Sequence, residues 1–185
     1  MSVTERDVIQ EALQRQLDAD VAIDVWDEPP NLALIVREGD GPPRFAPMPI
    51  DEETWGVAEP HRVMRAAAAA ARTVHERTGW TPFEPGQELL GVAFFTEGYG
   101  LTQNDKESAA IIQAWMRDGH RLSEHPLSIE VKLVTAVLAD DLPIMLMHGR
   151  GGTPLPSSDM GEVEGRVPEA LTFVLTVFLE LVPSG

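Results

Sequence analysis

Residues 129–138 read IEVKLVTAVL and residues 144–148 read IMLMH, with a turn at Asp140-Asp141 between them. In the first run Ile129, Val131, Leu133, Thr135 and Val137 alternate with Glu130, Lys132, Val134, Ala136 and Leu138, the two-residue period of a strand. The second run is apolar, and the acidic turn joins the two as an antiparallel hairpin. Upstream, Leu89 to Phe95 is apolar on both faces and reads as a central strand. The hairpin and this strand are the base of a sheet.

Helices surround these strands in the sequence. Ser2 with Glu5 has capping-box spacing, and Val8, Ile9, Ala12, Leu13 and Leu17 follow at helical spacing, predicting a first helix over 3–18. Val21 to Trp26 and Leu32 to Arg37 are short apolar runs separated by a Pro-rich spacer, and both are read as strands. Pro60 suits a first helical turn and Gly79 the position past a helix end. Between them Val63, Ala67, Ala70 and Val74 are expected to form the packed face. Asn104 with Glu107 opens a further helix that Gly119 ends.

The last segment admits two readings. Leu171, Phe173, Leu175, Val177, Leu179 and Leu181 alternate as a strand would, whereas Thr172, Thr176 and Glu180 form a narrow polar stripe on a helix. The Pro168-Glu169-Ala170 start favours helix. Residues 39–60 and 149–166 are rich in Gly and Pro and are read as loops, the second mobile. The resulting order is α-β-β-α-β-α-β-β-α in a single domain over 1–185. It predicts an α+β fold with a mixed or antiparallel sheet of about five strands covered by helices.

Thirty Asp and Glu stand against fourteen Lys and Arg, a net charge of -16. Such a charge repels phosphate backbones and anionic headgroups, so neither nucleic acid nor a membrane surface is expected as a partner. The first sixty residues hold fourteen of the acids and four of the bases, which leaves open an acidic binder or inhibitor of a basic protein. The chain has no cysteine, which excludes disulfides, thiolate metal sites and a Cys nucleophile. The first sixteen residues lack a basic stretch followed by an apolar run, so they read as helix and the protein as cytoplasmic.

No complete catalytic set emerges. His61, His75, His120, His125 and His148 lack metal-ligand spacing, so no metal and no cofactor is expected. His148 with Ser157, Ser158 and Asp159 resembles part of the zinc motif of the JAB/MPN deubiquitinases, but Arg150 stands where the second histidine belongs. Glu97 and Tyr99, flanked by Gly98 and Gly100 after the central strand, read most simply as a turn; with His125 and His148 they are the polar groups for a small-molecule pocket. The leading expectation is a non-enzymatic interaction module, a homo-oligomer whose interface uses Phe173, Leu175, Phe178 and Leu179. A ligand-binding domain or enzyme built around the four pocket residues is the alternative, and it requires them to converge.

Gly91-Val-Ala-Phe-Phe-Thr-Glu-Gly-Tyr99, Glu130, Arg150 and Val167-Pro-Glu-Ala-Leu171 together resemble a set of small acidic actinobacterial proteins. The Arg-heavy base content, twelve Arg to two Lys, points to the same GC-rich source. The resemblance implies no catalytic residue and no cofactor.

Overall fold

The computed structural model describes residues 4–101, 114–115, 117–126, 128–139, 143–150, 153–154 and 166–183. Their elements, in chain order, are α1 (Glu5–Ala22), β1 (Asn31–Glu38), β2 (Arg44–Pro47), α2 (Glu52–Val57), α3 (Pro60–Thr78), β3 (Gln87–Leu101), a 3-10 turn (Leu122–Glu124), β4 (Ser128–Leu138), β5 (Ile144–Gly149), β6 (Thr153–Pro154) and α4 (Arg166–Leu181). The strands form one antiparallel sheet in the order β2-β1-β3-β4-β5-β6, in which β6 is only a two-residue bridge. The hairpin at 129–148 forms as read, with Val134 opposite Leu146 and Lys132 opposite His148. The α+β class, an antiparallel sheet covered by helices, follows.

α1 covers one face of the sheet, while α3 and α4 cover the other. Ile9, Leu13 and Leu17 bury one stripe of α1 against Ile35, Val134 and Leu146. On the opposite face Phe178 of α4 is 1% exposed and meets Phe83 edge-on at 6.4 Å, while Trp55 of α2 lies over Phe94 at 5.7 Å. At Gly91 the sheet is too tight for any side chain. A Cβ there would lie 2.5 Å from the Val137 carbonyl oxygen and 2.8 Å from Leu138 Cδ2.

α4 settles the ambiguity of the last segment as helix. Its polar stripe faces out, with the Thr172 and Thr176 hydroxyls donating to the carbonyls of Pro168 and Thr172 one turn back. Glu180 pairs with Arg72 of α3 at 2.7 Å. The Thr81 hydroxyl donates to the Leu181 carbonyl at 2.9 Å, satisfying one orphan acceptor at the helix end. The interface reading of this helix is corrected here. Leu175 and Phe178 lie in the core of their own chain, Phe173 packs partly buried beneath the Arg65 guanidinium, and only Leu179 is exposed, at 44%. The apolar arc therefore needs no second copy to cover it.

Several boundaries differ from the sequence reading. The first helix starts after Thr4, not Ser2, which lies outside the described residues. Thr4 and Asp7 form the reciprocal capping box, and the Thr4 backbone N–H and hydroxyl hold the Asp7 carboxyl below its usual range. The helix then runs on to Ala22, its late turns supported by Gln14–Asp18 and Gln16–Asp20 side-chain hydrogen bonds of 2.7 and 2.8 Å. Val21 to Trp26 is consequently no strand: its first two residues finish α1, and Asp24 and Asp27 take left-handed φ of 53° and 68°, which extended backbone excludes.

The 39–60 loop also contains structure. Arg44–Pro47 pairs with β1 as an edge strand, and the Asp51 side chain caps the short helix α2 by accepting the Thr54 N–H at 2.7 Å. α3 spans Pro60 to Thr78 and ends at Gly79 with φ of 70°, as the Pro and Gly signals imply. Its buried row, however, is Val63, Met64, Ala68 and Ala71, which leaves Val74 exposed. Glu97 to Gly100 is no turn but part of β3, because β4 continues to pair with it through Tyr99 opposite Glu130. The helix expected from Asn104 to Gly119 falls outside the described residues except at 114–115 and 117–119. So does the 149–166 loop, apart from Gly149 in β5, Arg150, the β6 pair and Arg166 at the start of α4.

Candidate functional site

The apolar stripe of α1 runs out at Leu17, and the sheet beneath its last turns becomes polar. Pairing across β3, β4 and β5 places Glu97, Lys132 and His148 in one row, and Tyr99 and Glu130 in the next. Opposed residues in an antiparallel sheet share a face, so these groups project on the α1 side. Lys132 is the group that sequence reading missed. Its side chain is 6% exposed, with Nζ 3.0 Å from Glu28 Oε2 and 3.6 Å from Glu97 Oε1.

Residues 23–30, between α1 and β1, form a strap across this row. The Asp27 backbone N–H donates to Glu97 Oε2 at 2.7 Å, and Glu28 supplies the ion pair to Lys132. The Trp26 ring has Lys132 Nζ at 5.4 Å and Arg150 Cζ at 5.1 Å from its centroid, and its Nε1–H donates to Asp24 at 2.8 Å. Arg150 in turn pairs closely with Glu130. That hydrogen bond raises the Arg150 pKa against the opposing effect of burial, and the Glu130 charge and then Asp24 and Asp27 of the strap add to the rise.

Beside the strap opens a cleft of about 410 Å³. Gln16 and Asp20 of α1, Glu28 and Pro29 of the strap, Asn31 of β1, Phe45 of β2, Phe95 and Glu97 of β3 and Lys132 of β4 contribute to its wall. Phe45 and Phe95 meet edge to face at 5.8 Å, a rigid apolar floor. Charged groups on the wall are three carboxylates and one ammonium. Glu97 Oε1 is sealed from solvent and accepts no hydrogen bond.

The four pocket residues named from sequence do not converge. Glu97 lines the cleft. His148 lies beyond Lys132 on β5, its Nδ1 buried and 3.6 Å from Asp18 Oδ1 of α1. Tyr99 is exposed further along β3, where its hydroxyl donates to Glu130 at 3.5 Å. His125 belongs to the turn before β4 and sets its ring edge-on to Trp115, 5.0 Å away. No nucleophile and base are paired by this arrangement, and among the described residues no three His, Asp or Glu side chains gather as a metal site. No described helix is long and apolar enough to cross a membrane.

Glu97 and Lys132 hold one another in place. Lys132→Met is expected to lower unfolding free energy by roughly 1–3 kcal/mol, because the sealed Glu97 oxygen would lose its nearest cation. The same change in a Glu97→Gln background should cost clearly less. Urea denaturation of the four proteins gives the coupling energy, and additive costs would show that the pair is incidental.

No known protein family, curated protein or solved structure matches this chain.

Proposed function

We propose that the protein is a non-enzymatic binding module whose cleft receives the cationic end of an organic molecule, an ammonium or guanidinium on an apolar body. The observation that carries this reading is the composition of the wall: Asp20, Glu28 and Glu97 outnumber Lys132, over a floor made by Phe45 and Phe95. Oε1 of Glu97, which accepts no hydrogen bond and lies 3.6 Å from Lys132 Nζ, can take an added donor when that contact is exchanged. The chain's net charge of -16 raises the local concentration of any cation. The scatter of Glu97, Tyr99, His125 and His148 supports binding over catalysis.

One chemistry here has two sources, a free amine or a Lys or Arg side chain of a partner protein. Titration with 2-phenylethylamine, followed by amide chemical shifts, is expected to move Phe45, Phe95 and Glu97 together. Glu97→Gln should weaken binding roughly tenfold. A Lys- and Arg-rich peptide that outcompetes the amine, with affinity falling steeply as salt rises, identifies the protein source; amine binding that persists at high salt identifies the small molecule. Equal binding of the anion 3-phenylpropionate, or no shift with millimolar amine, sinks the proposal.

A further inference from the structure

We infer that the strap formed by residues 23–30 is a gate at one side of the cleft, where Glu28 and Pro29 line the wall, latched by the Glu28–Lys132 pair, an inference that rests on the cleft being the binding site. Every tie of the strap to the sheet that the geometry defines is polar or cation-π: Asp27 N–H to Glu97, Glu28 to Lys132, and the Trp26 ring against Lys132 and Arg150. None of residues 22–30 is buried; Ile23 is 68% and Val25 45% exposed. The hydrophobic effect that fixes the rest of the fold enters this segment mainly through the half-buried Trp26 ring, and short segments with few buried apolar contacts open at low free energy.

The two left-handed residues, Asp24 and Asp27, bracket Val25 and Trp26. Asp tolerates that conformation better than most residues but does not prefer it, so both positions can relax when the strap lifts. The latch and the cleft also share their atoms. A cation that engages Glu97 and Glu28 competes with Lys132 Nζ and the Asp27 N–H for the same carboxylates. Ligand entry and release of the strap are therefore one exchange of partners, in which Lys132 offsets part of the carboxylate charge until a ligand cation takes its place.

The 185-residue chain serves for the test, with 2-phenylethylamine as the probe. In ligand-free protein, Glu28→Gln is expected to speed hydrogen exchange at the Asp27 amide roughly fivefold, the loss of one partly exposed ion pair, while β3 and β4 amides stay protected. Glu11→Gln, on the exposed face of α1, is the control and should leave the strap unchanged. Trp26→Ala removes the ring over both cations and is expected to raise the amine association rate roughly fivefold. Unaltered exchange in Glu28→Gln overturns the gate. An unaltered association rate in Trp26→Ala, with the amine still bound, overturns the gating while the cleft reading stands. An amine that binds no form overturns the cleft reading instead, and Asp27 exchange alone then decides whether the strap opens as a unit.

Discussion

Phe178→Glu should abolish the folded state, with loss of helical circular dichroism and a broad, denaturant-insensitive signal, instead of yielding a soluble, folded protein. Phe178 is 1% exposed at the centre of the α3–α4 face, edge-on to Phe83. Removing its ring costs about 3–5 kcal/mol, and burying a carboxylate there adds several more unless the group takes up a proton. Together these approach the about 5–15 kcal/mol that a whole domain has in hand. Phe178→Leu, which keeps an apolar side chain, should stay folded with a lowered midpoint. A Phe178→Glu variant that retains its dichroism and a cooperative urea transition would contradict the packing described here.

Gly91→Ala is the second large effect, and it needs only one methyl group. The new Cβ would sit 2.5 Å from a carbonyl oxygen of β4, an atom held by the ladder and unable to swing aside as a side-chain tip could. β3 and β4 must separate in the middle of the sheet, with an expected loss of about 3 kcal/mol or more, or roughly 6–12 °C in melting temperature for a domain of this size. Gly39→Ala is the instructive comparison. Gly39 has φ of 52° but no atom within 4 Å of its would-be Cβ, so it should cost only about 1 kcal/mol. Thermal melts of the two variants separate crowding from backbone conformation, and equal losses would refute the tight approach at Gly91.

What could be read ahead of the structure depended on whether one residue's surroundings were visible in its own neighbours. The 129–148 hairpin was legible because alternation reports directly on a strand covered by the core. α4 was legible because Pro168 and Ala170 favour a helix start over a strand, and its polar stripe falls at helical spacing. Val21 to Trp26 misled because β-branched and aromatic residues ordinarily mark a strand; here the tie between Gln16 and Asp20 prolongs α1, and two aspartates bend the chain away. β2 and α2 hid among prolines because an edge strand tolerates Pro47 and a single Asp51 cap suffices for six residues.

The candidate site was legible only in part. Glu97, which lines the cleft, was singled out as a turn residue, because two flanking glycines outweighed the pairing that β4 imposes. Lys132 entered only as one member of the alternation. A signal was present: Val134, Ala136 and Leu138, on the same face, are all apolar, so a cover must lie there, and Lys132 is the first polar residue at its rim. Which carboxylates would reach it depended on Glu28 arriving from 104 residues away, a contact with no local trace.

The margins of the sheet bear on how this chain behaves when crowded. Its β2 margin is a strand of four residues with Arg44 at one end and Pro47, which has no N–H, at the other; beyond β5 the described margin is the pair Thr153–Pro154. A foreign strand seeking to extend the ladder would find few consecutive donors and acceptors along β2, whereas β6 covers β5 only at His148 and Gly149. The long apolar strands β1, β3 and β4 are all interior to the order, each flanked on both sides. The sheet is thus closed to growth on its β2 side, and among the described residues the outer edge of 144–147 in β5 is where another strand could add.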